Sequence, residues 1–134
     1  MMARESQSAP IVRRAASSTF AARDRQHKAS QKRSARLAAA REKGTHTALE
    51  WEVLRAIFGG RCIRCGREHR CEKDHIEPIY QGGSDAIENL QPICPWCNTG
   101  KGSEAIDFRS VAYPRWREHY DMVIALLSVR LQHG

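Results

Sequence analysis

Long hydrophobic runs are missing from this chain. None of its apolar stretches approaches the roughly 20 residues that a membrane-spanning helix needs, so no membrane partner is expected. The first residues lack the apolar segment of a secretory leader, which points to a cytoplasmic setting. Acidic residues are scarce at one end only. Residues 1–44 hold 11 Lys and Arg against 3 Asp and Glu, whereas residues 45–134 hold 11 against 12. The N-terminal arm therefore carries more than the whole formal net charge of +7, on a near-neutral, slightly acidic remainder. Such an arm favours a polyanionic partner, usually nucleic acid, over a role as a solubilising tail. Charge of this kind names a partner and no chemistry. The five cysteines do not form the pattern of a secreted disulfide scaffold. No internal repeat is present, and 134 residues suit one domain rather than two.

Along the chain, residues 1–18 have too little apolar content to offset the entropy of ordering, and disorder is expected there. Residues 19–43 are rich in Ala, Arg, Lys and Gln and contain neither Pro nor Gly, which favours helix. Phe20 and Leu37 are their only large apolar residues, so no stripe is available for packing. The expectation is a nascent helix that firms up on a partner, with a tail that stays disordered as an equal alternative. Thr47-Ala48-Leu49-Glu50 fits a capping box, with the Thr47 hydroxyl and the Glu50 carboxylate each satisfying the other's amide. A helix over 48–58 follows, with Val53, Leu54, Ile57 and Phe58 on one face and Gly59-Gly60 as its stop. Strand character appears over 73–79 and again over 87–93. Between them, Gly82-Gly83-Ser84-Asp85 is turn chemistry. Pro95 suits the first turn of a short helix over 95–101, and Pro114 that of a longer one over 114–131. In the longer helix Trp116, Tyr120, Val123, Ile124, Leu127 and Leu131 recur at helical spacing. That face is expected to cover the first helix, with a dimer contact as the alternative.

The chemistry is concentrated between Cys62 and Lys101. Cys62–Cys65 and Cys94–Cys97 are two C-x-x-C pairs. Each pair offers two thiolates from one tight turn, and together they complete a closed tetrahedral Zn²⁺ shell of the structural kind. Cys71 is left as a spare thiol. Between the pairs lie Asp74-His75-Ile76-Glu77-Pro78, Gly82-Gly83 and Asn89-Leu90-Gln91, and the second pair runs on into Asn98 and Lys101.

In this order the residues resemble the HNH endonuclease family, in the variant that ends in Asn. The resemblance spans about forty residues and rests on several motifs in register. It implies an α+β fold: a small ββα-metal, treble-clef-like core over 61–102, stapled by the four-cysteine zinc site and flanked by N- and C-terminal helices within a nuclease domain over 45–134. It also implies divalent-metal-dependent hydrolysis of DNA to 5′-phosphate and 3′-hydroxyl ends. His75 would be the general base, since a neutral imidazole can accept a water proton near neutral pH. Asn89 would help to position that histidine and its loop. Asp74 and Asn98 would supply oxygen ligands to Mg²⁺ or Mn²⁺, and Lys101 would contact a flanking DNA phosphate. The zinc, with four thiolates, would have no site for water and no part in the chemistry.

Small free-standing proteins of this type resemble nucleases of phage DNA packaging. That implies a phage-encoded protein in a bacterial host and a large terminase subunit as a partner, the chain being monomer or homodimer. The competing expectation is a zinc-binding DNA-recognition module, or an assembly partner, without cleavage of its own. Such a module would keep the cysteines and the arm without requiring Asp74, His75 and Asn98 together.

Overall fold

A computed structural model describes residues 9–133, with side chains over 19–132. Of the disorder expected over residues 1–18, residues 1–8 lie outside the described residues, and residues 9–18 are helical instead. The chain divides into two compact units, Met1–Arg36 and Leu37–Gly134. Helix α1, Ala9–Lys43, runs through the division. It begins well before the nascent helix that composition predicts, because the Ala- and Arg-rich sequence continues back to Ala9 without a glycine. In the first unit this helix has no apolar stripe: Phe20 is 81% exposed, and Lys28 pairs with Asp24 one turn away.

The second unit carries the remaining elements. Helix α2 (Ala48–Ile57) opens with the predicted capping box. Glu50 N donates to Thr47 Oγ1 at 3.0 Å, and Thr47 N donates to Glu50 Oε1 at 2.8 Å. Strands β1 (Glu72–His75) and β2 (Leu90–Ile93) form an antiparallel pair in which Asp74 faces Gln91 and His75 faces Leu90. Helix α3 (Pro95–Lys101) follows β2 directly, then a short α4 (Arg109–Ala112), and α5 (Trp116–His133) ends the described chain.

Two apolar clusters hold the unit together. Trp51, Val53 and Leu54 of α2 meet Ile87, Leu90, Trp116 and Tyr120, with Val123, Ile124 and Leu127 at the edge. The face of α5 expected to cover α2 does so, except for Leu131, which is exposed at the far end of the helix. The second cluster joins Cys62, Ile63, Ile93 and Cys94 to Phe58 and Phe108. All four residues of β2 are buried, so the strand reads as an unbroken core element between the two clusters.

Both strands are shorter than the sequence predicts. Ile76 N still donates to Asn89 O at 2.8 Å, but Pro78 has no amide to continue the ladder. The chain then turns through a single 3₁₀ turn, Ile79–Gln81, closed by Gly82 at φ 101°. A second 3₁₀ turn, Ile87–Asn89, replaces the start of the other strand. Helix α4 has no counterpart in the periodicity. It is nucleated locally, by Asp107 Oδ1 accepting from Arg109 N at 2.9 Å.

Candidate functional site

The four paired cysteines converge. The sulfurs of Cys62, Cys65, Cys94 and Cys97 all lie within 4.8 Å of one another, with Cys65 Sγ 3.9 Å from Cys94 Sγ. A tetrahedral zinc with Zn–S bonds of about 2.3 Å separates its sulfurs by about 3.8 Å, so the cage fits that ion. Burial opposes ionisation of Cys62, but hydrogen bonds from the Cys65, Cys94 and Arg64 backbone outweigh it and hold this thiol at about 6. Burial and hydrogen bonds with the neighbouring thiols push Cys97 up to about 12. Cys71 stands apart, donating to His69 O at 3.4 Å. Burial, then the nearby Cys62 and Cys94, raise its pKa and keep it a neutral thiol.

The cage places the rest of the site. Cys94 caps α3, its sulfur accepting from Cys97 N at 3.5 Å, and Asn98 and Lys101 project from the same helix. A cleft of about 420 Å³ is lined by Asp74, His75, Asn98 and Lys101, together with Tyr80 and Ser103 at its margins. Asp74, His75 and Asn98, singled out from the sequence for one reaction, thus line the same cleft.

Their partners define what each can do. Asp74 is 6% exposed. Its Oδ2 accepts from Gln91 Nε2 at 2.8 Å, and Lys101 Nζ sits 3.1 Å from Oδ1 and 3.0 Å from Oδ2. Asn98 Nδ2 donates to Glu72 Oε1 at 2.8 Å, which leaves Oδ1 as its acceptor. His75 is three-quarters buried, and its Nε2 lies 2.8 Å from Asp85 Oδ1. A carboxylate can only accept, so Nε2 carries a hydrogen, and in the neutral imidazole the lone pair is then on Nδ1.

Two sequence expectations change here. Asn89 does not touch the His75 ring. Its Oδ1 accepts from Glu77 N at 2.8 Å, and its Nδ2 donates to Glu77 O and Ser84 O at 3.0 and 2.7 Å. The loop half of its expected role is what the side chain performs: it staples 77 to 84 across the Gly82-Gly83 turn. Lys101 does not present its amine to solvent for a flanking phosphate; its side chain is 1% exposed and neutralises Asp74.

Two further residues are not legible as site residues in the sequence. Gln91 is fully buried. Besides Asp74 it donates to Ile106 O at 2.8 Å and accepts from Phe108 N at 2.9 Å, fastening the carboxylate to the segment after α3. Asp85 reads from its neighbours as a turn residue. Its only sequence signal is an acid four positions before Asn89.

The loop depends on Gly83. A Cβ there would meet Glu77 O at 1.9 Å and Asn89 Nδ2 at 2.9 Å. Gly83→Ala should therefore destabilise the unit by about 1–3 kcal/mol. A urea titration reads this directly, and an unchanged midpoint would mean that the staple is not tight.

Comparison with known proteins bears on this cleft. The family described as HNH endonuclease matches residues 62–104. The HNH stretch therefore holds both cysteine pairs, both strands and α3, while the arm, α2 and α5 lie outside it. Two antiparallel strands followed by a short helix, beside a four-thiol cage, are the ββα-metal arrangement of an HNH domain, within a helix-rich α+β chain. No curated protein and no solved structure matches the chain. Among the described residues no helix is long and apolar enough to cross a membrane.

Proposed function

We propose that this chain is a divalent-metal-dependent DNA endonuclease, hydrolysing phosphodiester bonds to 5′-phosphate and 3′-hydroxyl ends. The observation that carries the reading is one cleft, inside the HNH match, lined by Asp74, His75 and Asn98, with His75 Nε2 bonded to the Asp85 carboxylate.

The roles follow from the donors. His75 Nδ1 takes a proton from the attacking water. Asp74 and Asn98 Oδ1 form a donor set of a carboxylate and an amide oxygen lining one cleft, which suits Mg²⁺ or Mn²⁺ rather than a thiol-seeking ion. Lys101 Nζ lies against the same carboxylate, so an ion bound there would share Asp74 with that ammonium or displace it. When bound, such an ion supplies Lewis-acid stabilisation of the phosphate and of the departing 3′ oxygen. Asn89 holds the loop, and Lys101 offsets the charge of the buried Asp74. The cysteine cage, holding Zn²⁺, keeps α3 in place and takes no part in the reaction.

The arm supplies affinity. Its cations meet phosphates, so binding is salt-dependent and carries little base readout. The finer setting is a phage protein acting with a large terminase subunit in a bacterial cytoplasm, as monomer or homodimer. It rests on the likeness to packaging-associated HNH proteins alone.

The test is zinc-loaded protein incubated with supercoiled plasmid, with and without added Mg²⁺. Nicked or linear product should form only with Mg²⁺, at least about a hundredfold faster than without. Chelators are avoided because they would also strip zinc. Binding without any cleavage at millimolar Mg²⁺ or Mn²⁺ would leave the recognition-module reading in its place.

A further inference from the structure

Asp85 lies inside the HNH match but has no role in the resemblance, and its contacts join the cleft to another part of the chain. It is 6% exposed. Oδ1 takes His75 Nε2 at 2.8 Å, while Oδ2 faces Arg41 Nε and His46 Nδ1, each at 3.6 Å. Its amide donates to Gly44 O at 3.1 Å and to Ala40 O at 3.3 Å, and its carbonyl accepts from His46 Nδ1 at 2.7 Å. All its polar atoms are engaged, and every partner except His75 lies within residues 40–46.

Asn89 cannot hold the ring in its stead, since both its polar atoms are spent on Glu77 and Ser84. Its bond to Ser84 O instead fixes the residue before Asp85. The asparagine thus acts on the histidine at one remove.

We propose that Asp85 is the positioning residue for His75, and that the end of the N-terminal arm, residues 40–46, is a built part of the reaction centre because it fixes Asp85. This rests on the reading of His75 as base. The carboxylate sets the tautomer: with Nε2–H donated to Asp85, the lone pair lies on Nδ1. The arm has two separable duties. Its earlier cations meet phosphate, and its last turn seats the acid that aims the base.

The arrangement makes a sharp statement about Asp85→Asn. Arg41 Nε–H and His46 Nδ1–H can only donate, and both lie 3.6 Å from Oδ2, so their positive ends favour the amide oxygen on that side. The amide NH₂ then faces His75 Nε2, which must accept, and the ring proton moves to Nδ1. The variant is nearly isosteric, yet it places the hydrogen on the wrong nitrogen.

The experiment uses full-length, zinc-loaded wild type, Asp85→Asn, Arg41→Met and His75→Ala. It measures kcat and KM on a DNA duplex with Mg²⁺, the melting temperature, and ¹⁵N NMR shifts of the His75 ring. Asp85→Asn should lower kcat about a hundredfold or more with KM within about threefold, and should move the ring proton from Nε2 to Nδ1. Arg41→Met, which alters only a half-exposed partner of Asp85, should lower kcat about threefold to tenfold at saturating DNA. It keeps the idea testable should Asp85→Asn fail to fold. Wild-type kcat in Asp85→Asn, or an unmoved ring proton, overturns the role of Asp85. Wild-type kcat in Arg41→Met removes the arm from the centre. If His75→Ala still cleaves, the base reading itself has failed. If His75→Ala is inactive while Asp85→Asn cleaves normally, only the present inference has.

Discussion

Replacing His75 by alanine should slow plasmid cleavage by about 10²–10⁴-fold, the usual contribution of a general base, while duplex affinity and melting temperature stay near wild type. The separation is expected because His75 stands at the end of β1, packed against Asp85 but outside both apolar clusters. Removing the ring opens no void in the core. It does strip one partner from the Asp85 carboxylate, whose other oxygen retains Arg41 and His46 close by. Affinity should persist because most of the net positive charge lies in residues 1–44. A filter-binding curve beside a cleavage time course distinguishes the two quantities. Wild-type cleavage by the variant would take away the proposed base; a large fall in affinity would mean that the ring binds DNA rather than activates water.

The second large effect is loss of fold when the thiolate cage is broken. Cys94→Ala should leave a chain without a cooperative thermal transition in its second unit. Structural zinc in small domains contributes about 10–16 kcal/mol at neutral pH, comparable with or larger than the whole net stability of about 5–15 kcal/mol typical of a domain. Cys94 is 1% exposed, belongs to the second apolar cluster and caps α3. Its loss therefore removes a ligand, a core contact and a helix start together. Helix α3 brings Asn98 and Lys101 to the cleft, so cleavage should vanish with the fold. Elemental analysis should give one zinc per wild-type chain. A zinc-free preparation that melts cooperatively and still cuts DNA would refute the cage as the scaffold.

What can be read from the sequence is local in origin. The two C-x-x-C turns, the Thr47–Glu50 box and Pro95 at the head of α3 each act within a few residues, so their structure follows from neighbours in the chain. The face of α5 is legible for a related reason, since helical spacing commits Trp116, Tyr120 and Val123 to one side whatever they meet. What the sequence hides depends on contacts across the fold. Lys101 looks like a surface lysine because nothing beside it in sequence indicates that Asp74 lies 27 positions away and 3.0 Å distant. Gln91 looks like one letter of a motif, although its amide bridges Asp74, Ile106 and Phe108. Asp85 sits in a Gly- and Ser-rich stretch that explains itself as a turn. Its engagement with residues 40–46 becomes visible only when α1 ends beside it. Strand ends are misjudged because apolar pattern ignores the Asn89 side chain, which takes over from backbone pairing at Glu77.

The run from Asn89 to Asn98 has a bearing on how such a chain can change over time. It contains in succession the loop staple, a core leucine, the Gln91 bridge, a core isoleucine, two thiolates and the Asn98 amide. An inserted or deleted residue inside β2 would turn its side chains to the opposite face, uncoupling Asp74 from Gln91 and carrying the second cysteine pair off the first. Length is frozen there, whereas residues 68–70, beyond the hydrogen-bonded cysteine turn and before β1, are exposed throughout. Lineages built on this plan are free to grow or shrink at that outer turn, and a fusion partner or peptide tag would be accommodated there with the least disturbance to the cleft.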